Sequence, residues 1–144
     1  MAQDTLTELR QLSRGIAPPV LVDRGLEAAI TEVAARAGVP VTVYANLPAD
    51  LPVHVATAGY FVVSEGLANL NKHAQASRAD VFASVQDGHL YLTVADDGVG
   101  GASLDKGHGL AGLADRLRGV DGELLLDSPP GGPTRLEAVI PCAS

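Results

Sequence analysis

Apolar residues recur at two different spacings along this chain, and the switch between them marks out its elements. From Thr5 to Ile16, Leu6, Leu9 and Leu12 return at helical intervals until Pro18-Pro19 stops the run, so a short helix is predicted at the start. Asp23 can cap a second helix that buries Leu26, Ile30, Val33 and Ala37; Gly38 ends it, and Val39-Pro40 leads into a strand at Val41-Thr42-Val43-Tyr44. Pro48 and Pro52 mark a loop, after which His54 to Ala74 reads as one long helix. The period then drops to two. Val81, Ala83 and Val85, followed across Asp87-Gly88 by Leu90, Leu92 and Val94, predict a β-hairpin. Beyond a Gly-rich stretch from Gly98 to Gly109, Leu110, Leu113, Leu117 and Val120 predict another helix, bracketed at its end by Gly119 and Gly122. Two strands, Leu124-Leu125-Leu126 and Leu136 to Ile140, close the chain around the turn Ser128-Pro129-Pro130-Gly131-Gly132-Pro133. Strands gathered in the second half, with helices before and between them, predict an α+β fold. The expected form is a two-layer α/β sandwich, its mixed and mostly antiparallel sheet carrying helices on one face.

Polar positions on the long helix are patterned too. With Glu65 at zero, a turn of about 100° per residue puts Asn69 near 40°, Lys72 near −20° and His73 near 80°. Val63, Leu67, Leu70 and Ala74 gather on the opposite side, which is expected to pack on the core. A solvated surface is the plain explanation of such a polar face, and only the later motifs argue for chemistry there.

At 144 residues the chain has the size of one domain with one core, and with 47% hydrophobic and 19% charged residues it is expected to fold. Aromatic residues make up only 3%, so Ala, Val and Leu must fill that core. A formal charge of −7 and dispersed arginines argue against a nucleic-acid partner, while leaving room for a nucleotide held by local fields. The single Cys142 excludes an internal disulfide and fits a reducing compartment. No apolar run of about 18 residues occurs and Met1-Ala2-Gln3-Asp4 does not open a signal peptide, so this chain by itself is not expected to cross a membrane, and a cytoplasmic location is expected whether a parent protein is soluble or membrane-anchored.

Asp96 ends a strand and opens a Gly-rich loop, a place where a carboxylate can accept a hydrogen bond from an amino group such as adenine N6. Gly98 and Gly100 remove side chains that would block the backbone's approach. Gly107-His108-Gly109 stands directly before the helix of Leu110, where free N–H groups favour phosphates. Acidic solubilising residues and simple turn glycines would explain each motif alone. The set is neither a Walker A loop nor a dinucleotide fingerprint.

Taken together, Glu65-x3-Asn69-x2-Lys72-His73, Asp96-x-Gly98-x-Gly100, Gly107-x-Gly109-Leu110-x-Gly112-Leu113 and Gly132-Pro133-Thr134 resemble the N, G1, G2 and terminal threonine motifs of sensor histidine kinases, in order and spacing. Leu9-Arg10-x-Leu12-x-Arg14-Gly15 through Pro19-x-Leu21-x-x-Arg24-Gly25-Leu26 is similar to the join between dimerisation helices and ATP-binding domain, in the subfamily that includes nitrate and oxygen sensors. The resemblance spans nearly the whole chain. It implies residues 1–22 as a remnant of that connection and 23–144 as an ATP-binding catalytic domain of the Bergerat fold shared with gyrase-like ATPases.

The resemblance further implies that Glu65 is a general base or polarising residue, that Asn69 coordinates Mg²⁺, that Asp96 binds adenine, and that Thr134 supports adenine through water. Gly98, Gly100, Gly107, His108, Gly109 and Leu110 would form the ATP-binding loops, and Lys72 would offset phosphate charge. His73 either joins Lys72 or is a surface histidine bonded to Glu65. His54, His89 and His108 have no comparable context and are expected to be structural or exposed. Between Gly100 and Gly107 the lid is only Gly101 to Lys106, shorter than in many such kinases.

ATP and Mg²⁺ are thus the implied cofactors. The implied partners are a dimerisation domain carrying the phosphoacceptor His, for which no motif is seen in this chain, and a response regulator downstream. An isolated domain would be monomeric and unable to autophosphorylate, and the parent kinase homodimeric. Two other readings stand beside this one: a free-standing anti-sigma-factor serine kinase of the same fold, and a degenerate module that binds a partner and no nucleotide.

Overall fold

The computed structural model describes residues 19–69, 76–98 and 108–142, with residues 22, 69, 108 and 109 described by their backbone alone. The helix expected over Thr5 to Ile16 therefore lies outside the described residues, as do Leu70 to Ala74 of the long helix. Among the described residues, four helices, α1 (Pro19–Arg24), α2 (Leu26–Ala35), α3 (Val53–Asn69) and α4 (His108–Arg118), accompany five strands, β1 (Val41–Asn46), β2 (Ala79–Gln86), β3 (His89–Asp96), β4 (Glu123–Asp127) and β5 (Thr134–Pro141).

The strands form one sheet in the order β1-β2-β3-β5-β4. Only β1 and β2 run parallel; the other neighbours are antiparallel. Period-two alternation sends Val81, Leu92, Val94, Leu136, Ala138 and Ile140 to one face, where the helices cover them. On the open face Tyr44 and Phe82, partners in the β1–β2 register, stack with centroids 4.9 Å apart. This is the expected two-layer sandwich.

The hairpin turn is the one read from Asp87-Gly88. Both residues have positive φ, 52° and 75°, which is how a two-residue loop matches the twist of the strands it joins.

The N-terminal helices differ from expectation. Pro19 begins α1, a short helix that the spacing did not predict, because the first helical position needs no N–H donor and suits the fixed φ of proline. Asp23 lies inside α1, and the N-cap of α2 is Gly25 at φ 92°, with no side-chain cap bond. Leu21 and Leu26 are both buried in the core, so the chain must turn sharply between them, and glycine allows that.

Helix α3 is the hub of the helical layer, packing on α2, α4, β3 and β5. Its buried arc is wider than the wheel suggested, taking in Val55, Ala58, Tyr60, Phe61 and Val62 as well as Val63 and Leu67. Two glycines let it lie close on the sheet. A Cβ at Gly59 would meet Leu90, Leu92 and Leu26, and one at Gly66 would meet the Cβ, Cγ1 and Cγ2 of Val94 at 3.2 Å. Going from Gly59 to Gly66, the helix thus advances along β3 from Leu90 toward Val94, and its last turn heads for the strand's end at Asp96.

Candidate functional site

Asp96 is the last residue of β3 and faces the helices, on the same side as Leu92 and Val94. Its register partners are Ala79 on β2 and Thr134 on β5, so Asp96 and Thr134 are neighbours although 38 positions apart in number. Both are buried, at 9% and 6% exposure, the two buried polar or charged side chains among the described residues. Strand order makes this pair; neither motif contains it.

Asp96 Oδ1 accepts the Gly98 N–H at 2.8 Å, which pins the start of the Gly-rich loop and leaves Oδ2 for another donor. Burial pushes the Asp96 carboxyl above the ordinary aspartate range, the Gly98 N–H pulls it back, and the Asp97 charge pushes it further up. Thr134 Oγ1 lies 2.7 Å from Ser128 Oγ, which joins the end of β4 to the start of β5. The intervening bond Gly132–Pro133 is cis.

Glu65 is half-buried on α3, and among the described residues its carboxylate has no hydrogen-bond partner. Asn69 is the last residue of that helix among the described residues. Because Gly66 rests on Val94, two residues before Asp96 on the same sheet face, α3 delivers its C-terminal turn to the end of the sheet where Asp96 and Thr134 sit. Helix α4 begins at His108 and buries Leu110, Leu113 and Leu117. It is clamped to α3 by Arg116, whose guanidinium carbon lies 4.4 Å from the centre of the Phe61 ring, one turn before Glu65. The structure therefore brings Asp96, Gly98 and Thr134 together at one end of the sheet, and the part of α3 that bears Glu65 and Asn69 runs toward that end. Lys72, His73, Gly100 and Gly107 lie outside the described residues.

Asp97 is a site residue that sequence reasoning passed over. Its carboxylate accepts the backbone N–H of Ser77 at 2.8 Å and of Arg78 at 3.1 Å, and also the Ser77 hydroxyl. These bonds fasten the segment entering β2 to the residue after Asp96. The Ser77 hydroxyl, then the Arg78 and Ser77 amides, hold Asp97 below the ordinary aspartate range, so adjacent carboxylates are displaced in opposite directions. The only sequence signal was its place beside Asp96. Ser128, 2.7 Å from Thr134, was likewise not singled out.

Comparison with known proteins gives this geometry a lineage. No protein-family model matches the chain. It is 34% identical over 147 residues to the sensor histidine kinase MctS of Rhizobium johnstonii, covering 94% of this chain and 32% of that protein. It is 32% identical over 115 residues to the nitrate/nitrite sensor protein NarX of Escherichia coli, covering 77% of this chain and 19% of that protein. Among solved structures, the histidine kinase domain of the blue-light activated kinase EL346 from Erythrobacter litoralis superposes with a TM-score of 0.66 at 28% identity, over 83% of this chain and 58% of that one. The chain belongs to the sensor histidine kinase family.

It spans about a third, or less, of the length of the curated kinases it matches. Within this histidine kinase domain Asp97 offers a test of how the site is held. The folded-state pKa of Asp97 is depressed, so its contribution to stability is present above the ordinary value of 3.8 and is lost as pH falls through the lower folded value. We expect Asp97→Ala to lower the melting temperature at pH 7, and the gap to the parent to narrow steadily below about pH 4. Melts recorded at neutral and acid pH check this; a gap independent of pH would show that the carboxylate's charge is not what anchors Ser77 and Arg78.

Proposed function

We propose that this chain is the Mg-ATP-binding catalytic domain of a sensor histidine kinase, supplying the γ-phosphate for autophosphorylation of a His on a dimerisation domain, from which a response regulator takes it. Residues 1–22 belong in this reading to the connection from the dimerisation helices and 23–144 to the ATP-binding domain. The observation that carries it is the pair Asp96–Thr134, a buried carboxylate with one oxygen still able to accept, beside a buried hydroxyl, at the mouth of the helix-covered face.

The residues fit an adenine nucleotide. Asp96 Oδ2 accepts the adenine amino group, and Ala79 opposite it is too small to obstruct a planar ring. Thr134, held by Ser128, orients a water between its hydroxyl and the base. Asn69 offers one carbonyl oxygen to the magnesium ion, enough for a cation that keeps several waters and shares the phosphates. When bound, Mg²⁺ would supply charge neutralisation at the phosphates, with Asn69 as the residue that would hold it.

Glu65, half-buried and without a partner among the described residues, polarises the acceptor imidazole or takes its proton. Lys72 and His73 lie on the same helical face in the sequence pattern, where Lys72 offsets phosphate charge. Gly98 and Gly100 allow the loop to approach the nucleotide, and Gly107, His108, Gly109 and Leu110 present the start of α4 to the phosphates. The parent kinase is homodimeric and holds this domain in the cytoplasm.

Calorimetric titration with a non-hydrolysable ATP analogue, with and without Mg²⁺, tests the reading. We expect one site per chain whose affinity falls without Mg²⁺ and in an Asn69→Ala variant with Mg²⁺ present. No heat of binding under either condition would overturn it in favour of a module that binds only protein.

A further inference from the structure

The end of the sandwich remote from Asp96 carries a groove that the nucleotide reading does not use. The strand register separates the two ends: Val41, Ala79, Asp96 and Thr134 lie level at one, while Asn46, Ser84 and Tyr91 lie toward the other. There, α1, α2 and the segment joining β1 to α3 enclose a cleft of about 840 Å³. Leu21 and Leu26 lie at its base and Leu47, Leu51 and Val53 along its wall. Val53 is 70% exposed, more than any other large apolar side chain among the described residues. Asp23, Glu27 and Glu32 line the cleft beside Arg24, and with Glu32 paired to Arg36 at 3.3 Å the balance of Asp23 and Glu27 against Arg24 is still acidic. Asp23 and Glu27 have no ion-pair partner among the described residues.

An apolar groove of this kind has a cost in water unless something covers it. The chain carries a matching segment immediately upstream. Eighteen residues precede Pro19, the first residue of α1, and within them Leu6, Leu9, Leu12 and Ile16 form one apolar stripe at helical spacing. Arg10 and Arg14, one turn apart, flank that stripe, and residues 5–16 hold two arginines against one glutamate, the opposite sign to the groove. As a helix they would span about 18 Å. Ala17-Pro18 is a connection of the length that antiparallel helix pairs use.

We propose that residues 5–16 occupy this groove as an amphipathic helix folded back against α1 and α2, with the leucine stripe inward and Arg10 and Arg14 toward Asp23 and Glu27. The chain entering the domain is then gripped by it. Whatever precedes residue 5 is held at a set angle instead of swinging on a loose tether, and this holds whether or not the domain binds ATP.

Limited trypsin digestion of the full chain, with cleavage at Arg10 and Arg14 followed by mass spectrometry, reads the docking without nucleotide. Cleavage at both is expected to be at least about tenfold slower than in a synthetic peptide of residues 1–18. Val53→Glu, at an exposed first position of α3 where an acidic residue suits the helix, should remove the protection, and so should Leu12→Glu, which breaks the apolar stripe. Cleavage as fast as in the peptide would overturn the proposal. So would protection that survives both variants, which would put the segment elsewhere, or protection that rises with protein concentration alongside a sedimenting dimer, which would put a second copy's segment in the groove.

Discussion

Asp96→Asn is expected to leave the fold intact and weaken binding of an ATP analogue by about two orders of magnitude. Asparagine keeps the Oδ1 that accepts the Gly98 N–H, so the start of the loop is still pinned. What changes is the other position, where an amide NH₂ replaces an acceptor and meets the adenine amino group donor to donor. Losing a hydrogen bond to a charged, buried acceptor and stranding a donor costs about 3 kcal/mol, roughly a hundredfold in affinity. Folding stability should move the other way. Burial raises the folded-state pKa of Asp96, so its ionised form opposes folding at neutral pH, and that opposition disappears only as pH falls through the raised value. The neutral amide carries no such cost, and its melting temperature at pH 7 should equal or exceed that of the parent. Calorimetry and a thermal melt on one preparation check both halves; affinity within threefold of the parent would remove Asp96 from the adenine site.

Gly66→Val should destabilise the domain by about 2 kcal/mol, whereas Gly59→Ala should be close to neutral. The contact distances alone suggest the reverse. A Cβ at Gly59 comes as near as 3.0 Å to its neighbours, against 3.2 Å at Gly66. At Gly59, however, the atoms met are the methyl ends of Leu90, Leu92 and Leu26, which can rotate, and alanine brings a gain in helix propensity of up to about 1 kcal/mol. At Gly66 the atoms belong to Val94, branched at Cβ and carried on β3 between β2 and β5, so neither side chain nor backbone can yield. Relief must come from lifting the last turn of α3 off the sheet. That turn bears Glu65 and Asn69, so nucleotide affinity should fall along with stability. Urea unfolding of both variants checks the ranking, and an unaltered midpoint for Gly66→Val would show that α3 is not seated on Val94.

Much of the domain was legible because its elements follow from local rules. The hairpin around Asp87-Gly88, the period-two strands and the amphipathic pattern of Leu110, Leu113 and Leu117 all needed only neighbours in sequence. The errors fell where a local signal has two meanings. Proline suits the first position of a helix as well as its end, and the short helix that Pro19 begins was not foreseen; Asp23 has the chemistry of a cap but lies within that helix, and its successor is capped by Gly25. For α3, the burial of Phe61 and Val62 came from having helices on its flanks as well as a sheet beneath, which a wheel drawn for one packing face cannot represent.

By itself the sequence determined the order of elements from α2 onward, the hairpin and the choice of Glu65, Asn69, Asp96, Gly98 and Thr134 as candidate residues, because periodicity, turn chemistry and motif spacing are written within a few tens of residues. The tertiary structure alone decided that Asp96 faces Thr134, that Gly66 seats α3 on Val94, and that Asp97 ties the entry of β2 to the loop after Asp96. Each of these depends on strand order and register, or on how closely a helix approaches a sheet. Such quantities arise from packing the whole chain into one core, and no stretch of sequence carries them.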